Sequence, residues 1–143
     1  MTLIIATTNA HKLEEYATLL EGVTLGSLAD YPPMPPVEED APTFIGNAVK
    51  KALAAQRHTG GWVMADDSGI EVDALGGAPG VRSARYAPGS DADRCSALLR
   101  AMANEPNRRA RFTCAIAIAG AELPDVLPAG LATVDGCVVA VGH

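Results

Sequence analysis

The sequence predicts an α/β protein in which a mixed β-sheet is flanked by helices. Segments of strand composition alternate with segments of helical periodicity along most of the chain, and polar or glycine-rich turns separate them. The chain has 143 residues, of which 48% are hydrophobic and 20% charged, as in ordinary globular proteins. Since this length is typical of one folding unit, we expect a single domain over residues 1–143.

The first part of the chain predicts a strand, a polar turn, a helix and a second strand. Thr2–Ala6 is rich in β-forming residues and predicts a strand. Thr7-Thr8-Asn9 follows with residue types that cap helices, and apolar residues then recur at helical spacing from Ala10 to Leu20. A second strand is predicted over Val23–Leu28.

A proline-rich segment and a long helix come next. Four prolines within Tyr31–Val37 remove backbone donors, so this segment is predicted to be an extended loop that leads into Glu38-Glu39-Asp40. Thr43 is predicted to cap a helix that runs to about His58. Gly60-Gly61 is predicted to end that helix.

The second half of the chain predicts further strands around one helix. Trp62–Ala65 predicts a strand that runs into Asp66-Asp67-Ser68-Gly69, and Ile70–Leu75 predicts a continuing strand or hairpin arm. Gly76–Gly80 is predicted to be a loop. The remaining predicted elements are a helix over Asp91–Ala103, a central strand over Arg109–Ala119 and one or two strands within Leu131–Val141.

Charge and cysteine content narrow the classes of function. The net charge of −6 is unfavourable for holding nucleic acid or an anionic membrane through bulk charge. Cys95, Cys114 and Cys137 lack metal-ligand spacing and are predicted to be small core residues in a reducing compartment. The first residues lack the pattern of a signal peptide and no apolar stretch is long enough to cross a bilayer, so we expect a cytoplasmic protein.

Two acidic clusters are candidates for chemistry. Adjacent carboxylates such as Asp66-Asp67 repel each other, and a divalent cation such as Mg²⁺ would explain their placement. Glu38-Glu39 is the second cluster. A solvated turn explains Asp-Asp-Ser-Gly equally well. A nucleophilic role for Ser68 is disfavoured because the three histidines are scattered along the chain.

The polar segment from Thr7 to Lys12 is the third candidate. It joins the first predicted strand to the first helix, where free backbone N–H groups and the helix dipole favour an anion, and Lys12 adds a cation. It lacks the Gly-x-x-x-x-Gly-Lys pattern, so an ordinary capped helix with an exposed lysine is the alternative. Combined with the acidic clusters, the segment suggests Mg²⁺-assisted attack on a phosphoanhydride.

Four motifs in order resemble the Ham1-like inosine triphosphate pyrophosphatases, from Leu3 to about Val138. They are Thr7–Glu15, Glu38-Glu39 with Thr43–Ala48, Ala65–Tyr86, and Arg109–Phe112. The resemblance implies an elongated sheet with a cleft between two lobes. It also implies a homodimer that uses Mg²⁺ to hydrolyse non-canonical purine triphosphates (ITP, dITP, XTP) to the monophosphate and pyrophosphate.

The resemblance also implies roles for individual residues. Asp67 would accept a proton from the attacking water, and Lys12 would act beside it. The triphosphate would be held by Thr7, Thr8, Asn9, Ala10, His11 and Lys12, with Ser68 as a further substrate contact. Metal ligands would be Glu38 and Asp67, with Glu39 and Asp66 as neighbours able to share that role, since the motifs do not separate the members of either pair.

The sequence also departs from the family pattern. Thr8 stands where the family usually has glycine, which would narrow the phosphate turn. Family members continue into Gly-Phe-Gly-Tyr-Asp-Pro and Ser-His-Arg motifs that form much of the purine pocket, whereas this sequence stops at His143. We therefore expect an incomplete second lobe and weak preference for ITP over ATP. An inactive remnant that serves as a nucleotide-binding or dimerisation module is the alternative; a general phosphatase lacks its Asp-x-Asp-x-Thr pattern.

Overall fold

The computed structural model describes residues Met1–His143 and contains one mixed six-stranded sheet with helices on both faces. The strands are β1 (Thr2–Ile5), β2 (Thr24–Ser27), β3 (Trp62–Val72), β4 (Ala110–Ala119), β5 (Ala132–Val134) and β6 (Cys137–Gly142). The α-helices are α1 (Ala10–Leu19), α2 (Phe44–Thr59) and α3 (Asp91–Ala101). Short 3-10 turns lie at Leu28–Asp30, Asp73–Leu75 and Gly80–Arg85. The predicted α/β class with a mixed sheet is confirmed.

The strand order places a crevice at the carboxyl end of β1. The order is β2-β1-β3-β4-β6-β5, with β1 parallel to both β2 and β3 and the remaining neighbours antiparallel. Helix α1 connects β1 to β2, and α2 returns from β2 to β3 on the other side of β1. Because parallel crossovers are right-handed, two crossovers in opposite directions place their helices on opposite faces of the sheet. Ligands characteristically bind where the strand order reverses in this way.

Helix α2 forms the larger core by lying closely against one face of the sheet. Thr43 caps its first turn by accepting a hydrogen bond from the Gly46 amide at 3.0 Å, and Gly60 ends it in the left-handed conformation. Small side chains on both surfaces let the helix and sheet approach closely. The buried members of this core are Phe44, Ala48, Val49, Ala52, Ala65, Ala115, Ala117, Ala119, Cys137 and Val139.

The opposite face is covered by α1 only near β1 and β3. Leu13, Tyr16 and Leu20 pack on a small buried group formed by β1 and β3. Further along the same face, Ile116 and Ile118 are half-buried, and Phe112 keeps 73% of its surface exposed. The two faces of the sheet are therefore unequally covered.

Two sequence predictions are wrong in detail. The strand predicted to end at Ala65 continues to Val72, so Asp66-Asp67-Ser68-Gly69 is strand and not a turn. Strand β4 pairs with β3 along ten residues, from Val63 opposite Ala119 to Val72 opposite Ala110, and this pairing overrides the local turn preference. Cys95 is exposed and not a core residue, because it lies on α3 beside an open pocket that Leu98 and Phe112 also line, whereas Cys137 is fully buried.

The other predicted elements are found within a few residues of their expected bounds. The proline-rich stretch is a loop, β5 and β6 occupy the last predicted segment, and the 3-10 turns were not predicted. No helix combines the length and apolar character that crossing a membrane requires.

The Gly80–Arg85 turn is fixed against β3 by Ser83. The Ser83 hydroxyl accepts a hydrogen bond from the Ile70 amide at 2.9 Å and donates one to the Gly80 carbonyl at 2.6 Å. Gly69 lies directly beneath: a Cβ atom there would lie 2.4 Å from the Gly80 carbonyl oxygen and 2.5 Å from the Ser83 hydroxyl. The absence of a side chain at Gly69 lets the turn sit on the strand.

Replacing Gly69 by alanine therefore tests how tightly this turn is packed. We expect the free energy of unfolding of G69A to fall by about 1–3 kcal/mol, the range for overpacking, in urea titrations. Gly142→Ala is the matched control, since no atom lies within 4 Å of a Cβ at that strand position. Equal stabilities of the two variants would contradict the packing described.

Candidate functional site

Asp66 and Asp67 point to opposite faces of the sheet because neighbouring strand residues alternate. Asp66 meets Lys12 of α1, whereas Asp67 meets Asn47 and Lys51 of α2. Strand β3 extends beyond the end of β1, so this part of it lies beside the Thr7–Asn9 turn that follows β1. The two carboxyls therefore do not converge on one cation, because each faces a different side of the crevice.

On the α2 face, Asp67 belongs to a group of two carboxyls and a lysine. Lys51 Nζ lies 2.9 Å from a Glu39 carboxyl oxygen and 3.6 Å from an Asp67 carboxyl oxygen. Glu39 and Asp67 lie close enough for each carboxyl to influence the pKa of the other. Lys51 thus offsets much of the repulsion between two acids that lie side by side.

Asn47 connects this group to the loop that carries Glu39. Its side chain is completely buried. Its Nδ2 donates to Asp67 at 3.2 Å, and its Oδ1 accepts from the Ala41 amide at 2.9 Å. A buried amide satisfied at both ends fixes the distance between strand and loop.

The pKa values of the Glu39 and Asp67 carboxyls are shifted in opposite directions. Burial raises the pKa of Asp67 above its ordinary value, and Glu39 adds to the rise against the opposing effect of Lys51. Burial acts in the same direction on Glu39, but the hydrogen bond and charge of Lys51 outweigh it and hold the pKa of Glu39 below its usual range. Since the pKa of Asp67 is raised and that of Glu39 lowered, Asp67 is the better proton acceptor of the two when ionised.

On the α1 face, Asp66 pairs with Lys12. Their charged atoms lie 2.5 Å apart, and Lys12 remains 40% exposed, so its ammonium can still be reached from solvent. Tyr16 lies one helical turn further on, where burial and the Asp66 charge raise the pKa of its hydroxyl. Asp66 therefore acts chiefly as an anchor for the Lys12 ammonium.

The turn before α1 presents unpaired backbone donors beside Lys12. Asn9 caps the helix by accepting from the His11 amide at 3.0 Å, and Thr7 accepts from the Asn9 amide at 3.1 Å. The N–H groups of Thr8, Ala10 and Lys12 donate to no protein acceptor. Free amides at a helix N-terminus next to an ammonium form an anion site.

The predicted site residues are only partly brought together. Thr7–Lys12 and Asp67 border the crevice, and Ser68 is exposed on the face to which Asp66 points. Glu39 reaches Asp67, whereas Glu38 is exposed, with its carbonyl 3.5 Å from Lys50 Nζ. Of the four predicted metal ligands, only Glu39 and Asp67 converge.

A divalent cation fits this donor set when water or a substrate phosphate completes its coordination. Nowhere in Met1–His143 do three or more His, Cys, Asp or Glu side chains converge as a metal site. Mg²⁺ is commonly held by one or two carboxylates together with substrate phosphates and water, and Glu39 with Asp67 supplies that pair. The residues suit a cation shared with a phosphate, and do not form a cage of protein ligands alone.

Sequence reasoning missed two residues of the site. Asn47 and Lys51 are four residues apart and therefore lie on one face of α2, where both meet Asp67. That spacing was available in the sequence. What was missing was the knowledge that α2 lies across the face to which Asp67 points.

The fold and site define a class: an α/β protein whose crevice, at the carboxyl end of β1, offers an anion turn, two lysines and two carboxyls. A comparison of sequences narrows this class further, since the model of the Ham1 family matches residues 3–139. This chain belongs to the Ham1 family.

Individual relatives agree with this assignment. The chain is 54% identical over 117 residues to the dITP/XTP pyrophosphatase of Gloeobacter violaceus, a match covering 82% of this chain and 59% of the relative. It is 50% identical over 125 residues to the enzyme of the same name from Desulforamulus reducens, covering 83% and 62%. The chain thus spans about three-fifths of the length of these curated relatives.

Solved structures show the same fold. The Staphylococcus aureus Ham1 protein matches with a TM-score of 0.79 at 36% identity, over 87% of this chain and 66% of that one. A nucleoside-triphosphatase, dITP/XTP pyrophosphatase, from Mycobacterium abscessus matches with a TM-score of 0.79 at 37% identity, over 99% of this chain and 71% of that one.

The raised pKa of Asp67 gives a prediction about stability and pH. A raised native pKa means that the folded protein retains this proton above the unfolded value of about 3.9, so stability is lost as pH rises through that interval. We expect the free energy of unfolding of Asp67→Asn, relative to the parent, to increase between about pH 3 and pH 7.

Asp40 supplies a control of opposite sign. Its hydrogen bond with Lys50 lowers the pKa of Asp40, which stabilises the fold above the unfolded value and is lost as pH falls. Asp40→Asn should therefore lose stability relative to the parent as pH rises toward the unfolded value of about 3.9. Urea unfolding at a series of pH values measures both, and equal signs would contradict the electrostatics described.

Proposed function

We propose that this chain binds purine nucleoside triphosphates of the non-canonical kind (ITP, dITP, XTP) and hydrolyses them to the monophosphate and pyrophosphate. The observation that carries the proposal is the convergence of an anion turn and a carboxyl pair on opposite sides of one crevice. Membership of the Ham1 family and the names of the relatives support the substrate class.

The triphosphate binds at the start of α1 in this proposal. The free amides of Thr8, Ala10 and Lys12 and the helix dipole receive phosphate oxygens. The Lys12 ammonium turns from Asp66 toward the phosphates, and the hydroxyls of Thr7 and Ser68 and the exposed side chains of Asn9 and His11 border the same space. Thr8, in place of the family's usual glycine, adds a methyl and a hydroxyl at the turn.

Asp67 is the proposed proton acceptor. A water oxygen forms a bond to the α-phosphorus, its proton passes to the Asp67 carboxylate, and the bond from that phosphorus to the bridging oxygen breaks to release pyrophosphate. The raised pKa of Asp67 makes its carboxylate a stronger base than an ordinary aspartate. Asn47 holds the carboxyl in place through its hydrogen bond to Asp67.

Glu39 and Asp67 are the proposed holders of Mg²⁺, shared with substrate phosphates. When bound, the cation supplies charge stabilisation for the phosphates as they separate. Before the cation arrives, Lys51 reduces the repulsion between the two carboxyls. When the cation binds, Lys51 would release Asp67 and keep its closer contact with Glu39.

We further propose a homodimer in the cytoplasm, as the family resemblance implies. The half-buried apolar residues Ile116 and Ile118 and the exposed Phe112 on the poorly covered face are consistent with association of two copies. Sedimentation of the purified chain at several concentrations would measure its assembly state.

Pyrophosphate release from ITP by the purified chain, with Mg²⁺ and with EDTA, tests the proposed activity. We expect release only with Mg²⁺, and a loss of about 10²-fold or more in Asp67→Asn, because removing a general base costs about that much. Glu39→Gln should also lose most activity. Glu38→Gln is the matched control and should retain it, since Glu38 is exposed and does not meet Asp67.

Two results would contradict the proposal. Release that persists in Asp67→Asn would place the chemistry elsewhere. A folded chain that binds ITP without releasing pyrophosphate would instead indicate a nucleotide-binding module.

A further inference from the structure

We propose that Arg85 is a positioning residue that holds the acidic segment, Glu38–Asp40, so that Glu39 meets Asp67. The inference deepens the proposed function, because it rests on Glu39 and Asp67 jointly receiving the cation. Arg85 does not touch either carboxyl. Its Nη2 donates to the backbone carbonyl of Glu39 at 2.6 Å.

The acidic segment depends on side chains for its placement. Residues 32–42 neither donate nor accept any backbone–backbone hydrogen bond, as expected of a stretch rich in proline. A loop without backbone pairing is positioned by whatever side chains contact it. Each such contact is therefore important for where Glu39 lies.

Cations of α2 hold one side of this segment. Lys50 pairs with Asp40 and donates to the Glu38 carbonyl at 3.5 Å, while Lys51 pairs with Glu39 at 2.9 Å. The Asn47 side-chain oxygen accepts a hydrogen bond from the Ala41 amide, just beyond the segment. All these contacts come from a single helix and approach from one direction.

Arg85 provides a hydrogen bond to this segment from a different element of the fold. It ends the Gly80–Arg85 turn, which the Ser83 hydroxyl fastens to β3 through Ile70 and Gly80. The strand that carries Asp67 is thus linked, through this turn, to the carbonyl of Glu39. Arg85 fixes the acidic segment relative to Asp67 from the sheet side, as Asn47 does from the helix side.

A cavity of about 690 Å³ separates the acidic segment from the turn, and the Arg85 hydrogen bond crosses it. Its lining residues are Glu38, Glu39, Asp40, Ala41, Pro42, Val81, Arg82 and Arg85. No packed side chain could replace the lost hydrogen bond across open space. Arg82 lines the same cavity and carries the same charge but donates to no residue of the segment, which makes it the matched control.

The test uses Mn²⁺ as a probe of the carboxyl pair, titrated into the intact chain without substrate and followed by calorimetry or electron paramagnetic resonance. We expect Arg85→Ala to weaken Mn²⁺ binding about tenfold, the lower end for residues that orient metal ligands. Arg82→Ala should leave the affinity within about twofold, and Arg85→Lys should restore part of it, because an ammonium can also donate to the carbonyl.

Hydrogen exchange at the Ala41 amide gives a second readout that needs no metal. Arg85→Ala should reduce the protection of this amide, whereas Arg82→Ala should not. Equal Mn²⁺ affinities for the parent and Arg85→Ala, or equal losses in Arg85→Ala and Arg82→Ala, would overturn the inference.

The outcomes also separate this inference from the proposed function. If the parent chain binds Mn²⁺ but hydrolyses no triphosphate, the proposed activity is refuted. The Mn²⁺ affinities of the Arg85 and Arg82 variants then still decide the role of Arg85. If the parent binds no Mn²⁺, the proposed metal site fails, and unchanged protection of Ala41 in Arg85→Ala would then refute the positioning role as well.

Discussion

The site depends on the alternation of side chains along β3. An Asp-Asp pair in a turn could gather around one ion, but in a paired strand its members are directed to opposite faces of the sheet. Each acid therefore needs its own cation, and each face supplies one from the helix that covers it: Lys12 from α1 and Lys51 from α2. The ten-residue pairing with β4 keeps β3 in register where its own sequence would favour a turn.

Connectivity explains why two different helices reach the same short stretch of strand. From β1 the chain passes through α1 to β2 on one side of β1, and from β2 it passes through α2 to β3 on the other side. The two crossovers therefore lie on opposite faces of the sheet and meet at the carboxyl end of β1. The turn after β1 then offers free amides, and the loop before α2 brings Glu39 to the other side. The proposed anion and cation sites are therefore neighbours without a continuous motif in the sequence.

The sequence predicted the elements well, and the structure brings part of the candidate site together. Periodicity and capping residues identified α1, α2 and the capped turn before α1 because those signals are local. The end of β3 was misplaced because its continuation depends on β4, whose paired residues lie 38 to 50 positions further along the chain. The proposal of Glu39 over Glu38, and of Asp67 over Asp66, as metal ligands depends on the direction of each side chain. That information comes from the strand register and from the contacts of Asn47 and Lys51.

We propose that the two adjacent aspartates perform different tasks. The most direct test is the Mn²⁺ affinity of the parent chain, Asp66→Asn and Asp67→Asn, measured by titration calorimetry in the absence of nucleotide. We expect Asp67→Asn to lose most of its affinity and Asp66→Asn to retain it, because Asp66 faces α1 and holds Lys12. Equal losses in the two variants would show that the aspartates bind one ion together, and would contradict this division of tasks.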